Sequence, residues 1–251
     1  MLSLPLLHFS VLGWLAVTGG AFGFGLNKGG LTGLGVLPVV LFAFVFQARE
    51  STGFVLPLLI IGDICAVITY RHVVIWKTFW ILLPPAIVGI VIGFLLMSHI
   101  SGAAFGPLIG WIILALIALQ FMRSALGEKI DHIFESRGFG LGMGILAGIT
   151  TMIANAAGPV ANLYFLSMRL SKWNLIGTSA WLFFVINLCK VPFSTQMGLT
   201  NAYSLTLAVV LAPLVMTGFF CGRYIAGVMP QKVFERFLLA CTAVGALRLV
   251  W

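Results

Sequence analysis

Gly62-Asp63-Ile64-Cys65-Ala66-Val67 and Ile186-Asn187-Leu188-Cys189-Lys190-Val191 read as two copies of one pattern, aligned at an offset of 124 residues. Each sets polar side chains and a cysteine well inside a long apolar run. Further along, Pro84, Gly89 and Gly93 match Pro213, Gly218 and Gly222 at an offset of 129. Both of these sets end in GxxxG, a spacing that lets helix backbones approach closely. Each half also opens with a Gly-rich helix leading into an interrupted one, Gly19 to Pro38 and Gly138 to Pro159. The chain therefore reads as two halves on one plan.

The composition around these stretches names the solvent. Of 251 residues, 61% are hydrophobic and 8% charged, whereas a water-soluble domain is about a quarter charged. At about 20 apolar residues per crossing, the chain has room for roughly eight to ten spans and no separate soluble domain. Apolar runs fall at 6–26, 31–46, 52–70, 78–97, 104–122, 138–153, 157–168, 174–193, 203–225 and 233–250. Each is expected to be helical, because backbone groups in lipid have no water to bond. The predicted fold is an all-α polytopic membrane protein with two transmembrane repeats, 1–122 and 138–251, and a charged linker at 123–137. An odd number of runs per half makes the repeats inverted. Runs 31–46 and 157–168 are short and follow breaks bearing Gly or Asn. Each is expected to be one arm of a broken or re-entrant helical hairpin.

The net charge of +8 comes from 14 basic and 6 acidic residues, and it reads as topology rather than as a nucleic-acid surface. Arg71 and Lys77, then Arg123, Lys129 and Arg137, then Arg169 and Lys172, then Lys232 and Arg236 fall on every second connection. The connections at 98–103, 154–156 and 194–202 carry no Lys or Arg. With the basic set in the cytoplasm, both termini lie outside; Arg49, beside Glu50, is the exception. The N-terminus has no basic residue before its apolar run, so it reads as a retained first span rather than a signal peptide. Leu126, Ile130, Ile133 and Phe134 are spaced as an interfacial helix within the linker. Cys65, Cys189, Cys221 and Cys241 show no CxxC or metal spacing, and His8, His72, His99 and His132 never cluster. With no HExxH, GxSxG or nucleotide-binding loop, neither an enzyme, a cofactor nor a metal is expected. Any driving force is then an ion or substrate gradient, or the membrane potential.

Polar groups inside the apolar runs carry the functional signal. A lysine at the bilayer centre costs about 2.5–3.5 kcal/mol even on a lenient scale. Lys28 lies in Gly25-Leu26-Asn27-Lys28-Gly29-Gly30 and has two readings. In one it caps the first span and snorkels to the surface. In the other, Asn27, Lys28 and the backbone N–H groups freed at Gly29 and Gly30 form an anion site at a helix N-terminus. The second break, Thr150 to Pro159, offers Thr151, Asn155 and Gly158 as its counterpart, with Pro159 suited to a first helical position and Asn162 following. Asp63 and Lys190 fall near each other in the repeat alignment. They form either a structural ion pair between the halves, or a proton carrier (Asp63) and a second anion contact (Lys190). Asn187 shares the face of Lys190.

These features together resemble the sulfite exporter TauE/SafE family of small bacterial membrane carriers. The likeness covers nearly the whole chain: the first hairpin from Gly23-Phe24-Gly25 through Gly29-Gly30 to Pro38, the Arg71-to-Lys77 stretch before a Pro/Gly span, the charged central loop, and the hairpin from Gly140 to Pro159. The resemblance implies two inverted bundles in the bacterial inner membrane, exporting small sulfur anions such as sulfite, thiosulfate or sulfonates. It also implies that Asn27 to Gly30 and Thr150 to Gly158 face each other across the substrate. The chain departs from the family pattern in its second hairpin, where Met152 to Ala157 replace a Gly-Gly. The expectation is a secondary anion carrier working by alternating access in a lipid bilayer, as monomer or homodimer. The competing readings are a cation carrier using Asp63 and a non-transporting assembly or scaffold protein.

Overall fold

A computed structural model describes residues 10–46, 48–99, 111, 136–234, 236–237 and 240. The expected run at 104–122, the linker with its interfacial helix, and the run at 233–250 lie almost wholly outside them. The described residues form helices and no strand: α1 (Val11–Gly29), α2 (Val36–Val45), α3 (Ala48–Tyr70), α4 (Trp76–His99), α5 (Arg137–Ala154), α6 (Ala157–Ser167), α7 (Lys172–Gln196) and α8 (Ala202–Val228). Five of them, α3, α4, α5, α7 and α8, are long and apolar enough to cross a membrane. At 1.5 Å per residue, α2 and α6 span only about 15 and 16 Å, roughly half the hydrocarbon thickness. They pack back on α1 and α5 respectively, so both short runs are arms of helical hairpins, as expected. The first hairpin turns later than the apolar pattern suggests. Helix α1 continues through Gly25 to Gly29, and residues 31–35 are turn.

Local chemistry explains where the helices start. Ser10, Ser136 and Ser171 cap α1, α5 and α7 through their side chains, and Asn201 forms a capping box with Ser204 at α8. Each satisfies N–H groups that would otherwise lack partners. The breaks have matching ends. Helix α1 closes on Gly30 at φ 139° and α5 on Asn155 at φ 52°. The left-handed region is open to glycine and, among ordinary residues, most readily to Asn. Asn155 therefore takes, in this chain, the left-handed position that a glycine would otherwise fill.

Packing joins the halves. Helices α1 and α8 run parallel with Gly25 and Gly29 against Gly218 and Gly222; α4 and α5 run parallel with Gly89 against Gly148 and Gly144 against Leu82 and Pro85. The GxxxG spacings thus meet across the two halves. A side-chain carbon at Gly148 would lie 2.8 Å from Gly89 Cα and from Ile90 N, while at Gly142 nothing lies within 4 Å. Gly148→Leu should therefore cost more than the 1–3 kcal/mol typical of overpacking, whereas Gly142→Ala should leave stability unchanged or raised. Thermal unfolding in detergent checks the pair.

The central pair, α3 and α7, packs antiparallel: Gly53 lies by Leu199, Asp63 by Asn187 and Gly177 by Tyr70. These two helices carry the aligned sequence stretches, and their opposed directions are compatible with an inverted pair. At the α7 N-terminus, the buried Lys172 Nζ donates to the Ala226 and Met229 carbonyls at 2.6 Å each. It closes the C-terminal end of α8, where a cation is favoured. A residue expected only to mark topology thus also ties two helices together.

Candidate functional site

Where α3 and α7 cross, the aligned positions Asp63 and Asn187 touch: Asn187 Nδ2 donates to Asp63 Oδ2 at 2.7 Å. Asp63 is fully buried, and its Oδ1 lies 2.5 Å from Lys28 Nζ. Lys28 is itself buried, its stem against Gly62 and its ammonium 4.7 Å above the Phe183 ring. The surface-cap reading of Lys28 is thereby overturned. Gly62 leaves room for the lysine stem, and the ammonium meets a buried carboxylate.

Lys190 is also buried, but the expected Asp63–Lys190 ion pair is absent, because Lys28 occupies that carboxylate. Lys190 Nζ donates instead to Asn155 Oδ1 and, at 3.3 Å, to Thr151 Oγ1. Asn155 in turn donates from Nδ2 to the Thr52 carbonyl at 3.1 Å, which fixes its oxygen toward the ammonium. Asn162 Nδ2 donates to the Thr32 carbonyl at 2.9 Å, joining the second hairpin to the turn of the first. The two breaks therefore meet in the interior.

A cavity of about 30 Å³ opens between them, lined by Lys28, Thr151, Asn155, Gly158, Phe183 and Asn187 among others. Gly35 and the first residues of α6, Ala157 to Pro159, also line it. Helices α2 and α6 start on Gly35 and Ala156 with no side-chain cap, unlike α1, α5, α7 and α8. First-turn N–H groups at α6 are thus left for whatever occupies the cavity, with the positive end of the helix dipole behind them.

Gly29 and Gly30 play a different part from the one expected. Gly30 N–H donates to the carbonyls of Leu26 and Asn27, and Leu31 N–H to Leu26 at 3.1 Å. These bonds close the C-terminus of α1 instead of opening a helix N-terminus. The two glycines pack on Phe219, Gly222 and Ala226 of α8, and the Gly29 carbonyl accepts from Tyr70 Oη at 2.5 Å. They serve close packing, and the uncapped helix start beside the cavity belongs to the second hairpin.

Phe183, Thr52 and Tyr70 also contact this cluster, beyond the residues expected from the sequence. Phe183 was nonetheless legible, since Phe183, Asn187 and Lys190 recur at i, i+4 and i+7, one face of a helix. Thr52 acts through its carbonyl and Tyr70 through a long-range bond, neither of which leaves a pattern in sequence. Among the described residues, no three His, Cys, Asp or Glu side chains come together to hold a metal ion.

No curated protein and no solved structure matches the chain. The family model described as sulfite exporter TauE/SafE matches residues 9–249, the two hairpins and the crossing helices included, and the chain belongs to that family of multi-pass membrane transporters.

Proposed function

We propose that the protein exports a small sulfur oxyanion or organosulfonate, such as sulfite, thiosulfate or sulfoacetate, by alternating access around the cavity between the two hairpins. The observation that carries this reading is a charge imbalance. Lys28, Lys190 and Asp63 are buried together, and the only carboxylate among them is engaged by Lys28. Among the described residues Lys190 bonds only to neutral oxygens, so a buried ammonium is left that a mobile anion can neutralise. Thr151, Asn155 and the α6 N-terminus supply donors for the anion's oxygens. Asn187 holds Asp63, which exchanges its ion pair for a proton when the anion takes Lys28.

The cavity in this structure accommodates only a few waters by the measure at which one water needs about 10–15 Å³. The anion therefore enters as the hairpins separate, which fits alternating access at the interface of paired breaks. The loop charges support an orientation with the α3 C-terminus and α7 N-terminus on the cytoplasmic side of the inner membrane and both chain termini outside. A cation carrier is disfavoured, because Asp63 is already neutralised.

The test is uptake of labelled sulfite, thiosulfate and taurine-like sulfonates into liposomes holding the purified protein. Saturable flux of at least one, with competition among them, is expected. No saturable flux of any would overturn the reading. A scaffold would also differ in leaving a cysteine introduced at Asn155 closed to water-soluble reagents.

A further inference from the structure

A second, smaller cavity adjoins the first, with Phe183 in the walls of both. The two share Asn27, Lys28 and Phe183 in their walls, but the second is lined also by Thr32, Ala66, Ile176 and Ser179. On α3 its wall is Ala66 where the first has Leu59, and on α7 it is Ile176 to Ala180 where the first has Asn187. The cavities are therefore displaced along both helices in the same direction, toward the α3 C-terminus and the α7 N-terminus, while keeping Asn27, Lys28 and Phe183 in common. The second lies nearer the end bearing Arg71, Arg169 and Lys172.

Its polar lining is buried and unsatisfied. Thr32 Oγ1, Ser179 Oγ and Asn27 Oδ1 have no hydrogen-bond partner among the described residues, and Thr32, Ser179 and Asn27 are each more than nine-tenths buried. Buried polar groups normally find partners, and each one left without costs about 1–3 kcal/mol. Three at one small cavity, beside an ammonium, form a ligand's environment rather than a packing defect. Two are hydroxyls able to donate, and Asn27 can present its amide N–H₂ by turning about its last torsion.

We infer that Asn27, Thr32 and Ser179 form a second binding site for the transported oxyanion, adjoining the first at Phe183 and reached as Lys28 follows the anion across. This inference rests on the anion-carrier reading and goes beyond it. At about 10 Å³ the site is collapsed around no more than one water's volume, so it opens as Phe183 turns aside. Lys28 serves both sites, which keeps one positive charge beside the anion throughout its passage. The hydroxyls supply what the ammonium alone lacks, directional bonds on the side toward the cytoplasm.

The test compares two double variants with the wild type, all purified and reconstituted, using thiosulfate, sulfite and a sulfonate as probes. Thr32→Val with Ser179→Ala removes both hydroxyls at nearly constant volume. It should leave equilibrium binding of the probe within about threefold, while net flux falls about tenfold to hundredfold, the worth of one or two hydrogen bonds to a charged group. Thr32→Ser with Ser179→Thr keeps the hydroxyls and should restore most of the flux, which separates their chemistry from folding. Unchanged flux in the first variant overturns the second site and leaves the carrier reading standing. Equal loss of binding and flux overturns it too, by merging the two sites into one, and so does failure of the hydroxyl-retaining variant. A wild type that neither binds nor moves any probe overturns both readings together.

Discussion

Lys190→Met should lower saturable anion flux by about a hundredfold and weaken anion binding by a similar factor, while the protein remains folded. The side chain is buried, and its bonds go to Asn155 Oδ1 and Thr151 Oγ1, so removing it strands no opposite charge. What disappears is a buried charged hydrogen-bond partner of the anion, worth about 2–5 kcal/mol, where each 1.4 kcal/mol is a factor of ten. Flux into liposomes and equilibrium binding in detergent check it. Retention of both would make Lys190 a structural residue, its ammonium merely fastening α7 to the second hairpin.

The second large effect concerns the ion pair beside it. Lys28→Met leaves the fully buried Asp63 carboxylate with Asn187 alone, and breaking a buried pair costs about 3–5 kcal/mol. Asp63→Asn removes the other partner and should destabilise by a comparable amount. The two variants differ in what can rescue them. A stranded ammonium can accept the transported anion in place of the lost carboxylate, gaining about 2.7 kcal/mol at a hundredfold excess over the dissociation constant. A stranded carboxylate cannot. Thermal unfolding with and without thiosulfate or sulfite should therefore show strong anion stabilisation of Asp63→Asn and little of Lys28→Met. The double variant Lys28→Met with Asp63→Leu should recover most of the stability without recovering transport, since a well-packed apolar pair can replace a buried ionic one.

These expectations show which parts of the molecule were legible before its structure. The hairpins were, because the runs at 31–46 and 157–168 are short for a full crossing and each follows a break bearing Gly or Asn. The alignment of Asp63 with Asn187 was legible, whereas the bond between them, formed where α3 and α7 cross, was not. Partner choice was not legible. Asp63 could have met Lys28 or Lys190, and the outcome turned on Gly62 admitting the Lys28 stem. Nor was the role of Gly29 and Gly30. A glycine pair serves equally to free N–H groups or to let a neighbour approach, and only the position of α8 decides between them. Asn27, Thr32 and Ser179 come from three separate segments, so their convergence on one cavity depends on tertiary structure and leaves no trace in spacing.

Lys190, and Lys28 in exchange, are proposed to face a visiting anion. An experimental density map of the protein with saturating selenite or selenate, whose heavier atom stands out from the protein, addresses this without relying on flux. A peak between Lys28, Thr151, Asn155 and the first turn of α6, reduced or absent in Lys190→Met, is the predicted result. A saturated protein with no peak in that cavity, or a peak unaltered by Lys190→Met, would contradict it.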